Sequence, residues 1–209
     1  MKVRELAVEG ALEFTPDVYT DERGFVANPF ELVSFTEAHG GPLFPVAQTI
    51  HSHSRRGVVR GMHYTATPPG MAKYAYSAHG EALYLVVDTR VGSPTFGRCD
   101  SVSMDQRSFR SIYLPVGVSN GFVALTDETV ISYMISKPYV TADERALSVL
   151  DPALGLPIPD GLPLILAERD REAITLAEAL RLGVLPDYEQ CLSADRGPRA
   201  GSAATGATG

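Results

Sequence analysis

From Phe44 to about Pro138 the sequence reads as one short β-strand after another, with turn residues between them and no long helical period. That run constrains the fold more than any other feature of the chain. "GEALYLVVDTR" (Gly80 to Arg90) is rich in β-branched and aromatic side chains and gives way to a "VGSPTFG" turn. "SFRSIYLPVGVSNGFVAL" and "TVISYMISKPY" repeat the pattern. Strands this short and closely spaced leave no room for the crossover helices of βαβ units, so an all-β sandwich or jelly roll is expected. "SPTFG" (Ser93 to Gly97) is read as a structural turn. Helices are expected only at the flanks. One runs from Phe30 to a C-capping Gly40, and one from Thr175, with Glu178 three residues on, to Gly183. "LPDYEQCL" adds a further turn.

The chain of 209 residues is long enough for one domain with a real core, expected over residues 1–192. From Asp195 onward "DRGPRAGSAATGATG" is small, polar and aperiodic, and residues 193–209 are expected to form a disordered tail. No apolar run approaches the ~18 residues of a membrane span. "MKVRELAVEG" lacks the apolar core of a signal peptide, so a cytoplasmic protein is expected. A net charge of −7 argues against nucleic acid as a partner, but leaves open a small anionic ligand, which local charge decides. Cys99 and Cys191 share no metal-ligand spacing and are expected to be buried or idle thiols.

Two stretches could carry chemistry. "HSHS" puts His51 and His53 on one face of a strand, as a metal site would require. The following "RRGVVRG" supplies positive charge instead of a carboxylate. Where metal-binding cupins place a further histidine after "P-x-G", "PVGVSN" has Asn120. No metal is therefore expected. The second stretch, "RGVVRGMHYTATPPGMAKY" (Arg56 to Tyr74), gathers Arg60, His63 and Lys73 around Pro68 and Pro69. Such a set can hold an anion and remove a proton beside a carbonyl, with the cation offsetting the enolate charge. A lone histidine between strands is also commonly structural, and these residues alone do not decide between the two.

That stretch, with "VVDTRVGSPTFGR", "IYLPVGVSNGF" and "ERALSVLDPALGLPIPD", resembles the signature blocks of the dTDP-4-dehydrorhamnose 3,5-epimerase family over about Met1 to Cys191. The resemblance implies a cupin-type jelly roll, mainly β with a few short and mostly C-terminal helices. It also implies an isomerase with no cofactor, acting on a dTDP-linked 4-keto-deoxyhexose at C3, C5 or both. His63 is then the base, paired with Asp170 of "LAERD"; Lys73 faces the ketone oxygen, and Tyr133 of "ISYMIS" returns the proton on the opposite face. Arg23 of "DERGF" and Arg60 would hold the diphosphate, and Tyr139 would pack near the base or sugar. Gln48, Glu144 and Arg169 match further ligand positions.

The chain departs from the family pattern where "A-H-G-F" becomes "SNGF", bringing Asn120 into the sugar pocket, and where "Q-D-N" becomes "QTI", bringing Ile50. A glutamate expected soon after "DERGF" is Asn28 or missing. "HYTATPPGMAKY" is similar to the branch that tailors unusual deoxysugars for natural products, where inversion at one carbon is the alternative reading. A homodimer with the N-terminal strand packed across the interface is a further implication. Two other classes compete: a metal-dependent cupin enzyme using His51 and His53, and a sugar-nucleotide binder without catalysis.

Overall fold

The computed structural model describes residues 1–195. Two antiparallel sheets face each other. The first is ordered β1 (Lys2–Glu5), β2 (Leu12–Thr15), β10 (Ser111–Leu114), β7 (Lys73–His79), β12 (Thr129–Ile135), β5 (Gln48–Ser54). The second is ordered β13 (Glu144–Ala146), β6 (Val59–Thr65), β11 (Val118–Ala124), β8 (Glu81–Asp88), β9 (Cys99–Asp105). A separate hairpin joins β3 (Val18–Asp21) to β4 (Gly24–Ala27). This mainly β architecture, of the cupin-type jelly-roll class, is the one expected from the sequence.

Strand β8 shows why its sequence reads as an almost unbroken apolar run. Ala82, Tyr84 and Val86 point between the sheets, where they meet Ala75, Ile112 and Ile131 of the first sheet. Leu83, Leu85 and Val87 point the other way, onto a second core formed with Leu147, Leu154 and Ala179 from the C-terminal segment. A third core, around Phe14, Phe35, Tyr74 and Tyr113, covers the outer face of the first sheet. Sheets covered on both faces lose the polar alternation of a half-solvated strand.

Helix α1 (Leu32–His39) ends at Gly40 in the left-handed conformation. Three helices follow the strands: α2 (Glu168–Arg171), α3 (Leu176–Leu182) and α4 (Tyr188–Asp195). The Thr175 hydroxyl accepts from Glu178 N–H at the start of α3, and Gly183 caps its end with φ +66°. α4 runs through Ser193 and Ala194 to Asp195, so these residues continue a helix; the expected tail from residue 196 lies outside the described residues. The "SPTFG" turn closes on Asp88, whose carboxylate accepts from Ser93, Thr95 and Arg90. Cys191 is buried and Cys99 half-buried, and burial pushes each thiol up to about 11.

Candidate active site

Arg60 and His63 are three residues apart, a spacing that would send them to opposite faces of a regular strand. Both nevertheless line one cavity, of about 470 Å³, between the two sheets. The register explains it: Asn120 pairs with His63 and Phe122 with Arg60, so β6 carries one more residue than β11 across this interval. That bulge turns Arg60 back to the inner face. Glycine makes it possible. Gly61 has φ +135°, and a Cβ there would stand 2.4 Å from Gly121 Cα. The bulge thus aligns the cation and the imidazole that the sequence placed in one stretch.

The His63 side chain is 20% exposed, and its Nε2 lies 2.7 Å from Oδ1 of Asp170, which is 3% exposed. Asp170 sits on α2, which follows the bridge between Val58 and Ile165. A carboxylate has no proton to give, so Nε2 donates and Nδ1 keeps the ring's lone pair. Arg169 Nη2 is 2.8 Å from the same Nε2, and since one nitrogen cannot both donate and accept, the guanidinium lies against the ring as a charge beside Asp170. Burial raises the Asp170 carboxyl; the His63 hydrogen bond and the charges of His63 and Arg169, with the Gly61 N–H, outweigh it and hold Asp170 below the usual range.

The first sheet supplies the facing wall. Lys73 of β7 and Tyr133 of β12 point inward beside Ala75 and Ile131. Lys73 Nζ donates to Asn120 Oδ1 at 3.0 Å, crossing from one sheet to the other. Burial lowers the Lys73 ammonium, partly offset by Glu144. Tyr133 is raised by burial, against the hydrogen bond of Tyr84 and the charge of Arg60. Across from that wall, on the second sheet, Glu144 of β13 accepts from Thr65 Oγ1 of β6 at 2.6 Å. At the rim, Arg60 donates to Ser54 and to the His53 carbonyl, while Tyr139 N–H donates to Gln48 Oε1 at 2.8 Å.

Ten of the eleven residues singled out in the sequence therefore belong to this cavity or its rim, with Gln48 joined to it by its bond from Tyr139. Arg23 does not. It lies on the β3–β4 turn, exposed and paired with Asp21. Ile50 lines the cavity, but His51 and His53 of the same strand point outward, to Ser132 and Glu128. Among the described residues no three His, Cys, Asp or Glu side chains gather as metal ligands. Tyr84 escaped the sequence reading. Its signal was faint: a phenol at an inward position of a strand otherwise filled by Ala82 and Val86.

Residues 5–178 match the model of the dTDP-4-dehydrorhamnose 3,5-epimerase family. The chain is 44% identical to a dTDP-4-dehydro-6-deoxyglucose 3-epimerase of Streptomyces bikiniensis, over 88% of this chain and 93% of that one. It is 42% identical to a dTDP-4-dehydrorhamnose 3,5-epimerase of Mycolicibacterium smegmatis, over 91% and 94%. Among solved structures, ChmJ, a 3'-monoepimerase from Streptomyces bikiniensis in complex with dTDP-quinovose, superposes with a TM-score of 0.87. It is 42% identical, with 92% of this chain and 97% of that one covered. This chain belongs to the dTDP-4-dehydrorhamnose 3,5-epimerase family.

Proposed function

We propose that this protein is an epimerase of a dTDP-linked 4-keto-6-deoxyhexose that inverts C3, C5 or both. The observation that carries the reading is that His63 and Tyr133 stand on different sheets, across one cavity, with Lys73 beside them. His63 Nδ1 takes the proton α to the C4 ketone, and Asp170 steadies the imidazolium through Nε2–H. Lys73 offsets the charge gathering on the enolate oxygen. Tyr133 returns a proton to the opposite face, which a single base could not reach. Arg60 and Arg169 hold the diphosphate, while Tyr139, Gln48 and Glu144 line the nucleotide and sugar ends. Each step moves a proton between a side chain and carbon, so the cycle is redox-neutral.

Inversion at one carbon is the narrower reading, suited to an unusual deoxysugar of natural-product glycosylation. It is favoured by Asn120, an amide that carries no titratable proton where the family pattern has histidine, and by the 3-epimerases among the relatives.

We place Arg23 in the site of a second copy, in a cytoplasmic homodimer. Its hairpin exposes Tyr19, Phe25 and Val26 at 56–66%, an apolar surface suited to packing on another subunit. Proton NMR in deuterated water with the 4-keto-6-deoxyglucose nucleotide tests the reaction. Exchange and inversion at C3, C5 or both are expected; a substrate left fully protonated would sink the proposal.

A further inference from the structure

Asn120 does more than face the sugar. Its Oδ1 accepts from Lys73 at 3.0 Å, and its Nδ2 donates to the Tyr84 hydroxyl at 2.9 Å. The lysine ammonium gives hydrogen bonds and accepts none, so it fixes which end of the amide faces it. The amide in turn makes the Tyr84 oxygen an acceptor. Tyr84 is fully buried on the inner face of β8 and lines no part of the cavity. Its ring centroid lies 6.4 Å from that of Tyr133, on the opposite sheet. The Tyr84 hydroxyl proton is thus the end of a run with one direction, and the Tyr133 phenol is the neighbour that ring packing sets beside it.

We propose that Tyr84 is a positioning residue for Tyr133: the run Lys73–Asn120–Tyr84 holds the Tyr84 proton toward the Tyr133 oxygen and leaves the Tyr133 proton for the cavity. The inference rests on Tyr133 being the proton donor. When Tyr133 gives its proton to carbon, its electron pair stays on the phenolate oxygen, and the Tyr84 O–H stabilises that charge until solvent returns a proton. The two halves of the reaction then have separate supports. Asp170 serves the removal of the proton by His63, and the buried run serves its return by Tyr133.

The test uses the full chain and the 4-keto-6-deoxyglucose nucleotide in deuterated water, reading deuterium exchange with retention separately from inversion. Tyr84→Phe removes one hydroxyl from a buried ring. Exchange should stay within about twofold of wild type while inversion falls about tenfold, the loss expected from one hydrogen bond to a developing charge. Asn120→Asp keeps an acceptor for Lys73 but takes away the amide donor, so the Tyr84 proton should turn to the new carboxylate. Its inversion-to-exchange ratio should fall similarly, and the double variant should fall no further. If Tyr84→Phe fails to fold, the Asn120→Asp ratio decides. Ratios unchanged from wild type in the folded variants, or additive losses in the double variant, overturn the inference alone. A wild-type protein that neither exchanges nor inverts overturns the epimerase reading and this one with it.

Discussion

Two carboxylates in this molecule are buried, depressed below their usual range and hydrogen-bonded, yet they do opposite things. Asp88 is 0% exposed and accepts from the Arg90 Nε and Nη2 at 2.8 Å, and from the Ser93 and Thr95 hydroxyls at 2.6 Å. Every donor around it is committed. Burial raises Asp88, and the bonds from Arg90, Ser93 and Thr95 outweigh it. Asp170 is depressed by the same balance, but its main partner is an imidazole whose second nitrogen has Arg169 no nearer than 3.5 Å. That distance is too long for a well-formed bond. A saturated cluster locks the backbone; a cluster with one free lone pair beside a cavity can move a proton. The pKa directions alone do not separate the two.

Substitution should break the two clusters in different currencies. His63→Ala should cut exchange and inversion roughly 10²–10⁴-fold, about 3–5 kcal/mol of barrier, while the protein unfolds nearly as before and still binds dTDP. Steady-state rates beside a denaturant melt will show it; persistent exchange removes His63 as the base. Asp88→Ala should do the reverse. It leaves Arg90 buried without its carboxylate, at a cost of about 3–5 kcal/mol in unfolding free energy. The molecules that remain folded should turn over at the wild-type rate. A stability equal to wild type would mean that Arg90 is not held as a buried ion.

The Asp88 cluster was close to legible in the sequence, because its members lie within eight residues and the turn chemistry of "VGSPTFG" announces it. The other cluster was not. His63 and Asp170 are 107 positions apart, and α2 is a single turn of "ERDR" with no period to read, so Asp170 entered through family resemblance. The central strands declared themselves through β-branched and aromatic density. β1 and β3 did not: "KVRE" and "VYTD" are four residues each, mostly exposed, and make sheet only through their partners. The caps at Gly40, Thr175 and Gly183 were readable because a cap depends on one residue type at one place. Tyr84 was hidden for the opposite reason. A tyrosine in a strand is ordinary, and it is the bond from Asn120, diagonal to it on the adjacent strand, that makes its direction matter.

Arg60 sharpens the comparison from the cavity side. Its guanidinium is exposed, and among the described residues its bonds go to Ser54 and the His53 carbonyl at the cavity rim, whereas the Arg90 guanidinium is buried, with Nε and Nη2 on Asp88 and Nη2 also on the Glu9 carbonyl. Arg60→Ala should weaken dTDP binding by about 2 kcal/mol, roughly thirtyfold, with little change in stability. Calorimetric titration with dTDP measures it. Affinity equal to wild type would move the diphosphate away from Arg60, and Arg169 would then be the next residue to change.

The smallest expected effect probes whether the two clusters are independent. Arg90 Cζ lies 5.1 Å from the centre of the Tyr188 ring, at the start of α4, and that contact couples the Asp88 cluster to the last helix. Tyr188→Leu keeps an apolar side chain but loses the ring face, worth about 1 kcal/mol, or roughly 2–4 °C in the melting temperature of a chain this size. The Tyr188 N–H bond to the Val91 carbonyl is made by backbone and survives the change. Exchange and inversion should both stay at wild-type rates. There is a physical route by which they would not. The Thr89 hydroxyl, next to Asp88, donates to the Gly117 carbonyl, and β11 begins one residue later and carries Asn120. A loosened cluster that let β11 shift would misplace Asn120 before it touched His63, because His63 is held by Asp170 from the other side. Lowered inversion with exchange preserved in Tyr188→Leu would therefore mean that the rigid cluster sets the position of the reactive one, and that the two carboxylate clusters are not separable.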